Sequence, residues 1–99
     1  MASRIELSGR VATDPELRTT PAGTSVLRFT IDCSEGGNQL KIDVVVKGSE
    51  SKKLAAKMRR ESKIRVEGIL RQVSRQLRSG LAENSYEVVA STVETENSN

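Results

Sequence analysis

Apolar and polar residues alternate with a period of two along most of this chain, and the breaks in that alternation mark its turns. Ile5, Leu7 and Val11 alternate with Arg4, Glu6, Ser8 and Arg10, which predicts a strand with one apolar face. Gly9 falls within it and predicts a bend or a close backbone approach, as at a barrel corner. Asp14-Pro15 and Thr19-Thr20-Pro21-Ala22-Gly23 punctuate the chain, because proline fixes its own φ and steers the preceding residue out of the α region. Leu27, Phe29, Ile31 and Cys33 then share one parity, with Arg28, Thr30 and Asp32 on the other. Glu35-Gly36-Gly37-Asn38 reads as a hairpin turn. Leu40, Ile42, Val44 and Val46 predict a third strand, from which Lys41, Asp43, Val45 and Lys47 face away.

The period changes over Ser49 to Arg60. Leu54, Ala55 and Met58 make a narrow stripe at helical spacing, and Ser49 or Ser51 offers a cap. Lys57, Arg59 and Arg60 fall in the predicted last turn, where they complement the helix dipole. Ile64, Val66, Gly68 and Leu70 restore the two-residue period as a fourth strand, again with a central glycine. Arg75 to Asn84 reads as a polar loop around Ser79-Gly80, and Tyr86 to Val93 as a fifth strand. The order β-β-β-α-β-β is all-β and matches an OB-fold, a five-stranded Greek-key barrel with one short helix between strands three and four. One domain is expected over residues 1–94, with a loose tail over 95–99. Val45, Ile69 and Val89 point away from the assigned apolar faces. They are either ordinary exposed apolar residues, a shift of register, or the covered face of a homodimer.

Phe29 and Tyr86 are the only aromatic residues, so the core must be built from Ile, Leu and Val, and both rings are expected inside it. Cys33, the single cysteine, shares the parity of Phe29 and Ile31 and reads as a small buried hydrophobe that can form no intrachain disulfide. The N-terminus carries no apolar export segment and no run approaches the length of a membrane span, so a cytoplasmic protein is expected. Catalysis is not. Histidine is absent, which removes the usual near-neutral acid–base group. Asp14, Asp32 and Asp43 lack the spacing of a metal site or carboxylate dyad, and Gly36-Gly37 lacks the Lys-Ser/Thr sequel of a phosphate loop. A binder is predicted, with no cofactor, no metal and no small-molecule substrate.

The net charge is +3, and the bases are concentrated. Arg59, Arg60, Lys63, Arg65, Arg71, Arg75 and Arg78 fall within twenty residues that hold only two acids, Glu61 and Glu67. Such a density points to an anionic partner.

The pattern Ile5-x-Leu7-x-Gly9-Arg10-Val11, then Asp14-Pro15-Glu16-Leu17-Arg18, Thr20-Pro21-Ala22-Gly23 and Val26-x-x-Phe29-Thr30, resembles the bacterial single-stranded DNA-binding protein family. Val44-Val45-Val46-Lys47-Gly48, Leu54-Ala55, Ser62 to Arg71 and Tyr86-Glu87-Val88-Val89-Ala90 extend the resemblance in register, so that it covers about Arg4 to Val93. It implies an OB-fold that binds single-stranded DNA without catalysis. Main members of the family stack bases on aromatic side chains in the third strand and after the fourth, where this chain carries Lys41, Lys47 and Arg75. Those members also run on into a flexible linker and an acidic tip, which these 99 residues do not contain. Both departures resemble a tailless, primosomal branch of the family, whose dimeric OB-fold serves replication restart and meets a helicase.

An OB-fold presents strands two and three, with the first–second and fourth–fifth loops, to its ligand. On that surface the sequence puts Arg18, Arg28, Lys41, Lys47, Arg71, Arg75 and Arg78. A charge on the outer face of a strand is most often simply solvated; seven near one predicted groove are harder to dismiss. With so few aromatic platforms, binding should be led by phosphate contacts. Arginine planes can stand in for rings, whereas lysine acts as a point charge. About six neutralised phosphates would give a log–log salt slope of roughly −4. Lys52, Lys53 and Lys57 are ordinary exposed helix residues, and Arg4 and Arg10 suit either the groove or a dimer seam. Two other readings stay open: an adaptor whose barrel docks a helicase or primase, and a general single-strand coat.

Overall fold

A computed structural model describes residues 3–34 and 37–96. Its elements are β1 (Arg4–Val11), β2 (Glu16–Thr19), β3 (Ser25–Asp32), β4 (Lys41–Lys47), α1 (Ser49–Lys57), β5 (Lys63–Gln76) and β6 (Ala82–Glu96). The sheet runs β1-β5-β6-β4-β3-β2, and β1 also pairs with β3 through Arg10↔Asp32 and Val11↔Ile31. That last pairing closes β1, β3, β4, β6 and β5 into a barrel, with β4 and β6 parallel and the other pairs antiparallel. This is the OB-fold that the strand order predicted.

The apolar faces meet inside the barrel. Val11, Leu27, Phe29, Ile31, Val44, Val46, Ile64, Val66 and Val88 are buried together, and Leu54 and Met58 close the cluster from α1 and its end. The two mid-strand glycines are required by closure. A Cβ on Gly9 would collide with the Asp32 carbonyl oxygen, where β1 turns from β5 toward β3. A Cβ on Gly68 would collide with the Val89 carbonyl oxygen, beside the bulge at Glu67/Gly68 in the β5–β6 ladder.

Several boundaries differ from the sequence reading, each for a local reason. β2, in the segment that the sequence pattern assigns to the first–second loop, is a short strand on the outer edge of β3, exposed at all four residues. With no buried side it has no alternation to betray it. The helix stops at Lys57, three residues early, because Met58 leaves in an extended conformation and turns its side chain into the core. Arg59 and Arg60 therefore lie beyond it. Gly48, rather than a serine, occupies the N-cap; Ser51 is buried and donates its hydroxyl to the Gly48 carbonyl at 2.6 Å. Leu40 lies just before β4 and is exposed. The hairpin turn at Glu35 to Asn38 lies partly outside the described residues, since Glu35 and Gly36 are not among them.

The largest correction concerns Arg75 to Asn84. β5 runs on to Gln76 and β6 begins at Ala82, so the polar loop is the end of a two-stranded ribbon with a turn at residues 77–81. β6 also reaches Glu96, with Thr95 and Glu96 paired to Ile64 and Lys63, so the predicted tail loses its first two residues to the sheet. Among the described residues no helix is long and apolar enough to cross a membrane.

Candidate nucleic-acid interface

Cross-strand register arranges the outward side chains of β2, β3, β4, β6 and β5 in rows. Arg18, Val26 and Lys47 form one row. Glu16, Arg28, Val45, Val89 and Ile69 form the next, then Thr30, Asp43, Glu87 and Arg71. Asp32 and Lys41 lie one step further along β3 and β4. Arg75 follows Arg71 at the same parity of β5, opposite Glu83, and Arg78 sits in the ribbon turn. Six of the seven predicted cations thus share one continuous outward surface, and the seventh stands at its projecting end.

That surface is not uniformly positive. Acids interleave with the bases, and three of the seven cations are paired. Arg18 pairs with Glu16, and Arg71 pairs with Glu87. Arg28 reaches Glu87 from the other side, with its Nη1 at 3.5 Å from Oε1. Lys41, Lys47, Arg75 and Arg78 form no ion pair among the described residues. Asp43 accepts a hydrogen bond from the Thr30 hydroxyl at 2.9 Å.

Glu87 is the residue the sequence reading missed. It is only 5% exposed, the one buried charged residue among the described ones, yet its parity puts it on the outer face. The signal was present: an outward acid between Tyr86 and Val88, at the register position of Arg71. Val45, at 1% exposure, shows how it is covered. Arg28, whose guanidinium reaches Glu87 on β6, is the β3 register partner of Val45 on the intervening β4. Val45 therefore needs no second subunit to bury it, whereas Ile69 stays exposed and Val89 half-buried.

The two rings part company. Phe29 is buried as expected, but Tyr86 is 55% exposed and is not a core residue. Its parity matches that of buried Val88, and this misled the sequence reading. β4 releases β6 at Glu87, so Tyr86 lies on the ribbon just past the barrel wall, opposite Gln72. Among the described residues it is the only exposed ring, on the face of the ribbon opposite Arg71 and Arg75. Leu77 and the 68%-exposed Leu81 flank the ribbon turn.

A cleft of about 600 Å³ opens at the end where β1 meets β3, lined in part by Arg10, Lys41, Arg60 and Lys63, with Asp32, Glu61 and Glu96 opposing them. Arg10 thus lines this cleft, and Lys41 lines both the cleft and the outward face. Asp32 is held below the usual carboxylate range, first by hydrogen bonds from Ser34 and then by nearby Lys41. Cys33 is partly buried, and desolvation, aided by Asp32, pushes its thiol up. Among the described residues no group of three or more His, Cys, Asp or Glu side chains is placed to hold a metal ion.

A sequence model described as the single-strand binding protein family matches residues 2–95 of the chain. No curated protein matches it.

Proposed function

The chain belongs to the single-strand binding protein family, whose function is binding single-stranded DNA, and on that footing we propose that the strand lies across the outward face of β3 and β4 and along the β5–β6 ribbon. The observation that carries this reading is the continuity of those rows. Lys47, Arg28, Lys41 and Arg71 lie on neighbouring strands of one surface, and Arg75 and Arg78 continue it onto the ribbon. Cations would meet phosphates, and Tyr86, the exposed ring on the ribbon's other face, would stack on a base where the strand passes around the ribbon. Anisotropy of a labelled oligo-dT titrated with the protein at low salt tests this. Saturable binding that Lys47→Gln and Arg75→Gln each weaken is expected; binding indifferent to both rejects the proposed face.

The finer role we propose is in DNA replication, at replication restart, like that of the tailless branch represented by primosomal replication protein N. Lysine and arginine at positions where the main members carry rings support it, as does the ribbon. A homodimer fits as well: among the described residues β1 meets β3 only through Arg10 and Val11, so its edge from Arg4 to Gly9 has no strand beside it except β5 on the other side. A helicase is the protein partner this role calls for, and the cytoplasm the place. One observation favours the adaptor reading: Leu77 and Leu81 present apolar surface at the ribbon's end, where a protein could dock. Absence of oligo-dT binding at low salt, with retained binding to a helicase or primase, would favour it. Cooperative saturation of long strands would instead mark a general coating protein.

A further inference from the structure

Glu87 is buried on a surface whose neighbouring outward charges are exposed, and both its oxygens are occupied. Arg71 Nη2 takes Oε2, and Arg28 Nη1 lies 3.5 Å from Oε1. The two arginines come from β3 and β5, on opposite sides of the β4–β6 pair. Each arginine side chain keeps about half its surface in solvent, 56% for Arg28 and 48% for Arg71, against 7% for the Glu87 side chain. Arginine carries five donors, so each retains N–H groups for a second oxyanion.

We infer that Glu87 is an internal anion that ties Arg28 and Arg71 into a pair of net charge one, so that together they accept one phosphate of a bound strand rather than two. The inference rests on the single-strand-binding reading above. An arriving phosphate cannot simply evict the carboxylate. Glu87 is anchored in β6 between its register partners Asp43 and Arg71, next to buried Val88, and a buried charge stripped of its partners is strongly unfavourable. The carboxylate therefore stays under the two guanidiniums while phosphate meets their exposed edges. Asp43 is the other acid of that row; its hydrogen bond from Thr30 lies apart from the arginines, and its charge is common to every variant below. Glu87 is thus a positioning residue that sets how many phosphates this part of the face counts.

The test is anisotropy of labelled oligo-dT over a salt series, using the intact chain and its Glu87→Gln, Arg71→Gln and combined R71Q/E87Q variants, with thermal melts alongside. Glu87→Gln should bind roughly three- to tenfold tighter at low salt, because one opposing charge is gone. Its log–log slope should steepen by about 0.7, the increment of one more phosphate. Arg71→Gln should flatten the slope by about the same amount. The combined variant retains Arg28 without the acid, a net charge of one, and should keep the wild-type slope. It buries no unpaired charge, so it reads the inference even if E87Q fails to fold. A wild-type slope or weaker binding in folded E87Q overturns the inference, as does a combined variant flattened like R71Q, which would mean the arginines act independently. Loss of all binding by the unmodified chain removes the single-strand reading and this inference with it; binding that ignores Glu87 removes the inference alone.

Discussion

Gly9 and Gly68 each stand where another strand's carbonyl occupies the space of a side chain. The obstacle is backbone in both cases, so it cannot rotate aside. Gly9→Ala and Gly68→Ala are each expected to cost about 1–3 kcal/mol in urea unfolding, the range for forced overpacking. Phe29 and Tyr86 make an opposed pair. Phe29→Ala empties a buried site and should cost roughly 3–5 kcal/mol of stability. Tyr86→Ala should leave the melting temperature nearly unchanged while weakening oligo-dT binding by about 1–3 kcal/mol, the worth of one stacked base. Equal losses of stability in the two variants would return Tyr86 to the core.

The ribbon is the element that most alters the picture of the site. From Arg71 onward β5 pairs with β6 alone, and its last six residues project by roughly 20 Å at strand rise. Both of its faces are polar because neither meets the core. That arrangement suits an arm that folds around a strand and contributes little to the barrel. Replacing residues 75–83 by a tight Asn-Gly turn should therefore spare the cooperative melt, yet weaken oligo-dT binding by removing Arg75 and Arg78. A truncated protein that unfolds would show instead that the ribbon supports the barrel. The edge of β1 makes a complementary case. Its unoccupied length predicts a dimer mass by light scattering, reduced to a monomer by a proline at Glu6, where pairing across that edge would be blocked.

For the molecule as a whole, the charge count matters more than its sum. Seven cations near one groove would suggest a steep salt dependence, but Arg18, Arg28 and Arg71 are already engaged by Glu16 and Glu87. Four on the face have no ion pair among the described residues: Lys41, Lys47, Arg75 and Arg78. With Arg28, Arg71 and Glu87 together adding one more contact, the log–log salt slope on oligo-dT should lie near −3.5, at roughly −0.7 for each phosphate. A slope near −5, the value for about seven contacts, would show that the paired arginines count in full.

Local chemistry, readable residue by residue, determined the barrel. Alternation chose the buried faces of β1, β3, β4 and β5, prolines and glycines placed the breaks, and two central glycines marked where strands crowd together. The outward basic residues were legible for the same reason, since parity alone assigns a face. Tertiary structure decided the rest, and always where a strand had no buried side or a charge had a distant partner. β2 and the ribbon are strands without a core to pattern them. Tyr86 kept the parity of the core after the barrel wall had ended. Glu87 became an internal counter-ion only when closure brought β3 and β5 to either side of the β4–β6 pair, because charges 16 and 59 positions distant along the chain interact through space, not through sequence.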